Sequence, residues 1–294
     1  MDVGPGAAAD DTARCLEGMV KAARDVERSL GDLRAYGAWL ATSRPETCAE
    51  LVARIGILED AAASIDGLLR SSREAYLAAQ LQNLRIDASA RDLHLHIGAG
   101  PNVVPGWINI DLPPAELALD LRWGLPFADG SAALVYSAHC LEHQYLKDAL
   151  HTLREIHRVL APGGRVRLVV PDIETYARAY VEDDRAFFAE RRRTWHWLPD
   201  GLTHLMTVIG YAGAGARAVD GADLHRYGYD FATLEFLLRR VGFHDVVRTA
   251  YMSGPRAELL LDEHSSVAGA HHAGRACSLF VEAGKRPDPT QPAA

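Results

Sequence analysis

The chain has 294 residues, 48% hydrophobic and 24% charged, the balance of an ordinary globular protein long enough for one substantial core and an accessory segment. A formal charge of −8 and a pI near 5.9 leave no general electrostatic footprint for nucleic acid, and Arg191-Arg192-Arg193 reads as a solvated helix face. No apolar run reaches the length of a membrane span, the start MDVGPGAAADD lacks an apolar signal core, and the four cysteines show no C-x-x-C spacing. These features set aside membrane, disulfide-framework and zinc-knot classes, and the expectation is a soluble cytoplasmic protein.

Residues 1–11 are acidic and Gly/Ala-rich and read as a disordered N-terminus. From 12 to 88 the chain reads as helical. Leu16, Met19, Val20, Ala23, Val26, Leu30, Leu33, Tyr36 and Leu40 recur at three- and four-residue steps, as on one apolar helix face. Ser43, Pro45 and Glu46 then resemble a capping box opening a second helix through Leu51, Ile55, Leu58, Ala62, Ile65 and Leu69, with a third short helix expected after Ser72. Such a hairpin is expected to pack as core, to form a homodimer, or to act as a lid.

At Leu93 the pattern changes. Leu93, Leu95 and Ile97 form an apolar strand running into Gly98-Ala99-Gly100, where absent side chains let the backbone turn and approach a ligand. Ile108 and Ile110 lead a second strand to Asp111, placed to accept hydrogen bonds from ribose hydroxyls at a strand's carboxyl end. The acid arrives sooner than the roughly 20 residues of a dinucleotide fingerprint, so the first crossover helix is short or missing. Leu117 to Leu121 reads as a third strand and Ala132 to Ser137 as a buried central one. Residues 145–160 have helical spacing, stopped by Ala161-Pro162-Gly163-Gly164, and Arg165 to Val170 is the next strand, ending at Pro171-Asp172. This alternation predicts an α/β, Rossmann-like doubly wound sheet with ligands at the carboxyl ends of its strands.

LHIGAG, GWINIDL, LPFADGSAALVYSAHCLEH and LREIHRVLAPGGRVRLVVPD, in that order, resemble class I S-adenosylmethionine-dependent methyltransferases, in the branch with a short first loop and a G-W-I-N-I-D segment. The resemblance covers residues 92–175. It returns at YGYDFATLEFLLRRVGF, like the late helix with its G-F turn, and at ACSLFVEAGK, like the final antiparallel strand. It implies a cofactor site for S-adenosylmethionine. Gly98 and Gly100 would lie against the methionine portion, Asp111 on the ribose and Leu112 on the adenine ring. Asp120 would accept from the adenine amino group beside the Leu121 amide, and Ser137 would border the methionine tail. His96 stands where many relatives carry an acid, and reads as a neutral hydrogen-bond partner or a structural residue.

Methyl transfer to a hydroxyl needs alignment and a base, and histidine suits neutral pH. The candidates are His139, His143 and His225, with His204 and Asp172 further off; His143 also reads as a plain helix start and Asp172 as a helix cap. HCLEH also has the letters of a metal motif, and His139, Glu142 and His143 with His204 or His225 are an alternative ligand set. The plain helix start is the preferred reading, with no metal assigned.

Residues 181–230 form an insertion with Phe187, Phe188, Trp195, Trp197, Leu205, Met206 and Tyr211, expected to serve as a substrate cover or as ordinary packing. Residues 251–275 read as a flexible excursion with solvent-exposed His271 and His272, and 286–294 as a loose tail. The expectation is O-methylation of a small-molecule acceptor, a sugar or secondary metabolite, without nucleic acid or membrane. Other cofactor chemistry on the same fold, or a decayed binding protein, are the alternatives.

Overall fold

The computed structural model describes residues 18, 25–26, 29–35, 45–194, 203–213 and 225–287. The chain divides into two compact units, Met1–Ile86 and Asp87–Ala294. Among the described residues no helix is long and apolar enough to cross a membrane.

The first unit is dominated by α1 (Pro45–Leu84), a single 40-residue helix. The break expected after Leu69 is absent. Ser72 does not interrupt the helix because its hydroxyl donates to the Leu68 carbonyl one turn back, at 2.9 Å. Residues 29–35 are also helical, and Leu30 packs on Ile55 and Ala62. The Ser43 cap, residues 1–11 and most of the first expected helix lie outside the described residues.

Among its described residues the second unit has nine strands: β1 (Leu93–Ile97), β2 (Ile108–Asp111), β3 (Leu117–Ala118), β4 (Ala132–Ala138), β5 (Leu160–Pro171), β6 (His244–Thr249), β7 (His271–His272), β8 (Arg275–Ala276) and β9 (Ser278–Gly284). Seven form one sheet in the order β3-β2-β1-β4-β5-β9-β6, and β7 and β8 make a separate ribbon. The first five strands of the sheet are parallel; β9 runs antiparallel between β5 and β6. The centre is apolar on both faces, as parallel strands require: Leu95, Ile97, Val135, Tyr136, Val166 and Leu168 are buried.

Six helices are labelled in chain order, the others being α2 (Leu146–Val159), α3 (Ile173–Val181), α4 (Arg185–Thr194), α5 (His204–Tyr211) and α6 (Phe231–Val241). On α2, Ala149, Leu153, Ile156 and Val159 bury one stripe, the i, i+4, i+7 spacing of a crossover helix. Helix α6 ends at Gly242 in the left-handed conformation, the expected G-F turn. The strand expected to reach Leu121 stops at Ala118, because Asp120 accepts the Arg122 amide and starts a 3-10 turn over Leu121–Trp123.

The segment after β6 is built rather than loose. Buried Arg167 on β5 donates to both oxygens of buried Asp262, at 2.8 and 2.6 Å, to Glu282 on β9 at 3.0 Å and to the Ala250 carbonyl at 2.8 Å. This network pins residues 250–262 to the sheet. His271 is exposed as expected, but His272 is buried, its ring edge-on to Phe187. Arg191 is likewise buried, with its guanidinium over the Tyr211 ring, so the basic run is not wholly a solvated face.

Candidate active site

Strand β1 gives out at a turn where Gly98 and Gly100 have φ of +72° and +52°, values that favour glycine. The Gly98 and Ala99 amides donate to the Ile110 carbonyl at 2.8 and 3.1 Å, tying the turn to β2. One oxygen of Asp111 accepts the Gly100 amide and the other the Leu112 amide, both at 2.6 Å. Each oxygen keeps acceptor capacity for a further donor. A Cβ on Gly98 would overlap the side chain of Cys140, so the turns after β1 and β4 touch at this residue. A Cβ on Gly100 would have Asp111 Oδ2 as its nearest neighbour, at 3.9 Å, so that side of the turn is open. The contact between these turns lies where the connections diverge to opposite sides of the sheet, the place where doubly wound folds bind ligands.

No helix lies between β1 and β2. Asn109 does its work instead, accepting the Val104 amide at 2.9 Å and donating toward the Val104 and Trp107 carbonyls at 3.2 and 3.0 Å and Glu116 at 3.0 Å. Its oxygen lies 3.1 Å from His96 Nδ1. Because that oxygen can only accept, His96 carries its proton on Nδ1. Burial pushes the His96 imidazole down to about 4, against the opposing Asn109 bond. His96 is a neutral donor that props the loop.

The turn after β4 holds the titratable cluster. His139 has φ of +53°, and its amide donates to the Val169 carbonyl at 2.8 Å. Its Nδ1 lies 3.1 Å from Glu142 Oε1 and its Nε2 3.1 Å from Ser278 Oγ. With Nδ1–H given to the carboxylate, Nε2 holds a lone pair facing the serine hydroxyl. Glu142 is 1% exposed. Burial drives its carboxyl up, but the His139 hydrogen bond and the charges of His139, His143 and His225 together hold it below its ordinary range. The backbone carbonyl of Glu142 accepts the Arg226 and Tyr227 amides at 2.6 and 3.2 Å, bringing the 225–229 segment onto this turn. His225 is buried, bonds the Tyr211 carbonyl through Nδ1 at 2.9 Å and packs edge-on against His143.

Residues 110–168 match the family model of a methyltransferase domain. That segment runs from β2 into β5, and the sheet around it has the antiparallel strand β9 inserted beside β5. A mostly parallel seven-stranded sheet with this antiparallel insertion fits the Rossmann-like fold of class I S-adenosylmethionine-dependent methyltransferases. S-adenosylmethionine is the methyl donor of that class. Similar solved structures are a methyltransferase from Archaeoglobus fulgidus (12% identity, 72% of this chain and 94% of that one, TM-score 0.38) and the YcgJ protein from Bacillus subtilis (14%, 72% and 98%, 0.36). A third is phosphoethanolamine N-methyltransferase 2 of Haemonchus contortus in complex with S-adenosyl-L-methionine (15%, 71% and 52%, 0.35). No curated protein matches the chain.

Within this unit the sequence candidates fall into three groups. Gly98, Gly100, Asp111 and Leu112 meet at the first turn, and Ser137, His139, Glu142, His143 and His225 gather at the second. The Asp120 carboxylate is held by the backbone and guanidinium of Arg122, so Asp120 and Leu121 form one braced turn. Asp172 and His204 stand apart. Asp172 caps α3 and pairs with Arg248 at 2.6 Å, while His204 stacks on Phe188. Phe187, Phe188 and Tyr211 pack with Tyr176 and Cys277, so within the insertion they are ordinary core. Trp195 and Trp197 lie outside the described residues. Sequence reasoning missed Ser278 and Asn109. The signal for Ser278 was available: the first residue of a final antiparallel strand falls at the carboxyl edge of its parallel neighbours.

Proposed function

We propose that this domain transfers a methyl group from S-adenosylmethionine to a hydroxyl of a small molecule, a sugar or secondary metabolite, with His139 as the base. The observation that carries the reading is the His139 ring suspended between the Glu142 carboxylate and the Ser278 hydroxyl. A ring so oriented presents an unprotonated Nε2 to an O–H, and Ser278 marks where such a group can stand.

The first turn suits the cofactor. Gly100, at positive φ, leaves one side of the backbone open, and Asp111 offers carboxylate lone pairs beside it, as a ribose diol requires. Bound there, S-adenosylmethionine supplies an activated methyl on a sulfonium leaving group. His139 Nε2 would take the proton from the acceptor hydroxyl as that oxygen accepts the methyl group. Glu142 holds the ring's orientation and stabilises the imidazolium. Leu121, with Asp120 braced by Arg122, would border the adenine, and Ser137 the methionine tail.

The test uses methyl-labelled S-adenosylmethionine and a panel of hydroxyl acceptors. With an accepted substrate, His139→Gln is expected to lower kcat by about 10²- to 10⁴-fold, with cofactor affinity little changed. Unchanged kcat in that variant would overturn the assignment of the base.

A further inference from the structure

We propose that Glu142, His143 and His225 bind one divalent first-row metal ion, of the zinc class, beside the His139 ring. Their ligand atoms lie within 4.8 Å of one another. Two observations point to an ion rather than to a self-contained hydrogen-bond cluster. Glu142 Oε2 is buried in a residue only 1% exposed and has no hydrogen-bond partner among the described residues, although Oε1 is held by His139. His143 Nδ1 is also buried with no hydrogen-bond partner among the described residues. Leaving a buried carboxylate oxygen unmet is costly, and a cation held by Glu142 satisfies it; His143 faces the same carboxylate, its Nε2 3.9 Å from Oε1.

The surroundings are those that orient ligands. The Tyr211 carbonyl takes the Nδ1–H of His225, which makes Nε2 the unprotonated nitrogen; metal-binding histidines are commonly fixed in this way through their second nitrogen. The third donor is also clamped to the first, since the amides of Arg226 and Tyr227, the residues after His225, bond to the backbone carbonyl of Glu142. Bonds of about 2.0–2.1 Å require the donors to close in somewhat, and the His143 side chain, 28% exposed, has room to turn. Two imidazoles and one carboxylate favour zinc and its neighbours over magnesium or calcium, which prefer all-oxygen sites. Three protein ligands leave a position open. Resting on the methyl-transfer reading, that position would take the acceptor oxygen and ease loss of its proton.

The experiment is calorimetric titration of the chelator-treated full chain with Zn²⁺, with S-adenosylmethionine titrated separately into the same samples. One Zn²⁺ per chain is expected. His143→Ala and His225→Gln should each weaken binding about 10- to 100-fold, while His204→Ala, outside the cluster, should not. His143 is partly exposed, so its variant keeps the test valid if the buried His225 variant fails to fold. Absence of Zn²⁺ binding, or binding equal in wild type and His143→Ala, overturns the site. Cofactor binding without Zn²⁺ binding would sink the metal alone; Zn²⁺ binding without cofactor binding would sink the methyl-transfer reading alone.

Discussion

At Gly98 two constraints meet: a φ of +72°, and Cys140 occupying the space a Cβ would need. Gly98→Ala should therefore destabilise the fold by at least about 2 kcal/mol in denaturant unfolding, the left-handed backbone alone accounting for about 1–2 kcal/mol. Adding Cys140→Gly should recover the overlap and leave the backbone part. Full recovery would mean that φ carries no cost there. His96 makes a different prediction, because its folded pKa is depressed from the ordinary 6.5 to about 4 by burial. Between those values the unfolded chain binds a proton that the folded chain does not. Stability therefore falls as pH drops through this window, by about 3 kcal/mol from this residue. His96→Gln, which keeps a donor for Asn109 but cannot titrate, should flatten that limb of the stability–pH curve; an unchanged slope would contradict it.

Among elements, the β1–β2 connection and strand β9 show what the sequence could and could not convey. The G-x-G turn, the early acid and the missing crossover helix were all legible, since each is a local matter of spacing. The means of holding a helix-free loop was not, because Asn109 looks like one polar residue in a strand until its contacts with residues 104, 107 and 116 are seen. The same holds for Arg167, whose charged side chain in a central strand makes sense only with Asp262 and Glu282, 95 and 115 residues away in sequence. Composition marked 251–275 as flexible, whereas the bonds of Arg167 to Asp262, Ser253 and Ala250 anchor its first half to the sheet. Arg167→Met would leave buried Asp262 without its cation and Glu282 with only the Arg165 guanidinium, 3.8 Å away, and a loss of about 3–5 kcal/mol is expected. Hydrogen exchange should show the loss of protection spreading through 250–262; protection unchanged there would mean the network does not pin that segment.

For the whole molecule, periodic signals fixed the order of strands and helices, and hence the edge of the sheet where chemistry gathers. They did not reveal which histidines meet. His225, 82 residues after His143, reaches the second turn through backbone bonds to Glu142 that no side-chain pattern announces. His204, equally plausible from sequence, stacks on Phe188 instead. The cofactor site we propose is the turn at Gly98–Gly100 with the Asp111 carboxylate beside it. The most direct test is calorimetric titration of the chain and of Asp111→Ala with S-adenosylhomocysteine, the demethylated cofactor. One site per wild-type chain is expected, weakened about 10- to 100-fold in the variant, the worth of hydrogen bonds to a charged group. Equal affinity in the two proteins, or no binding by the wild type, would contradict the account.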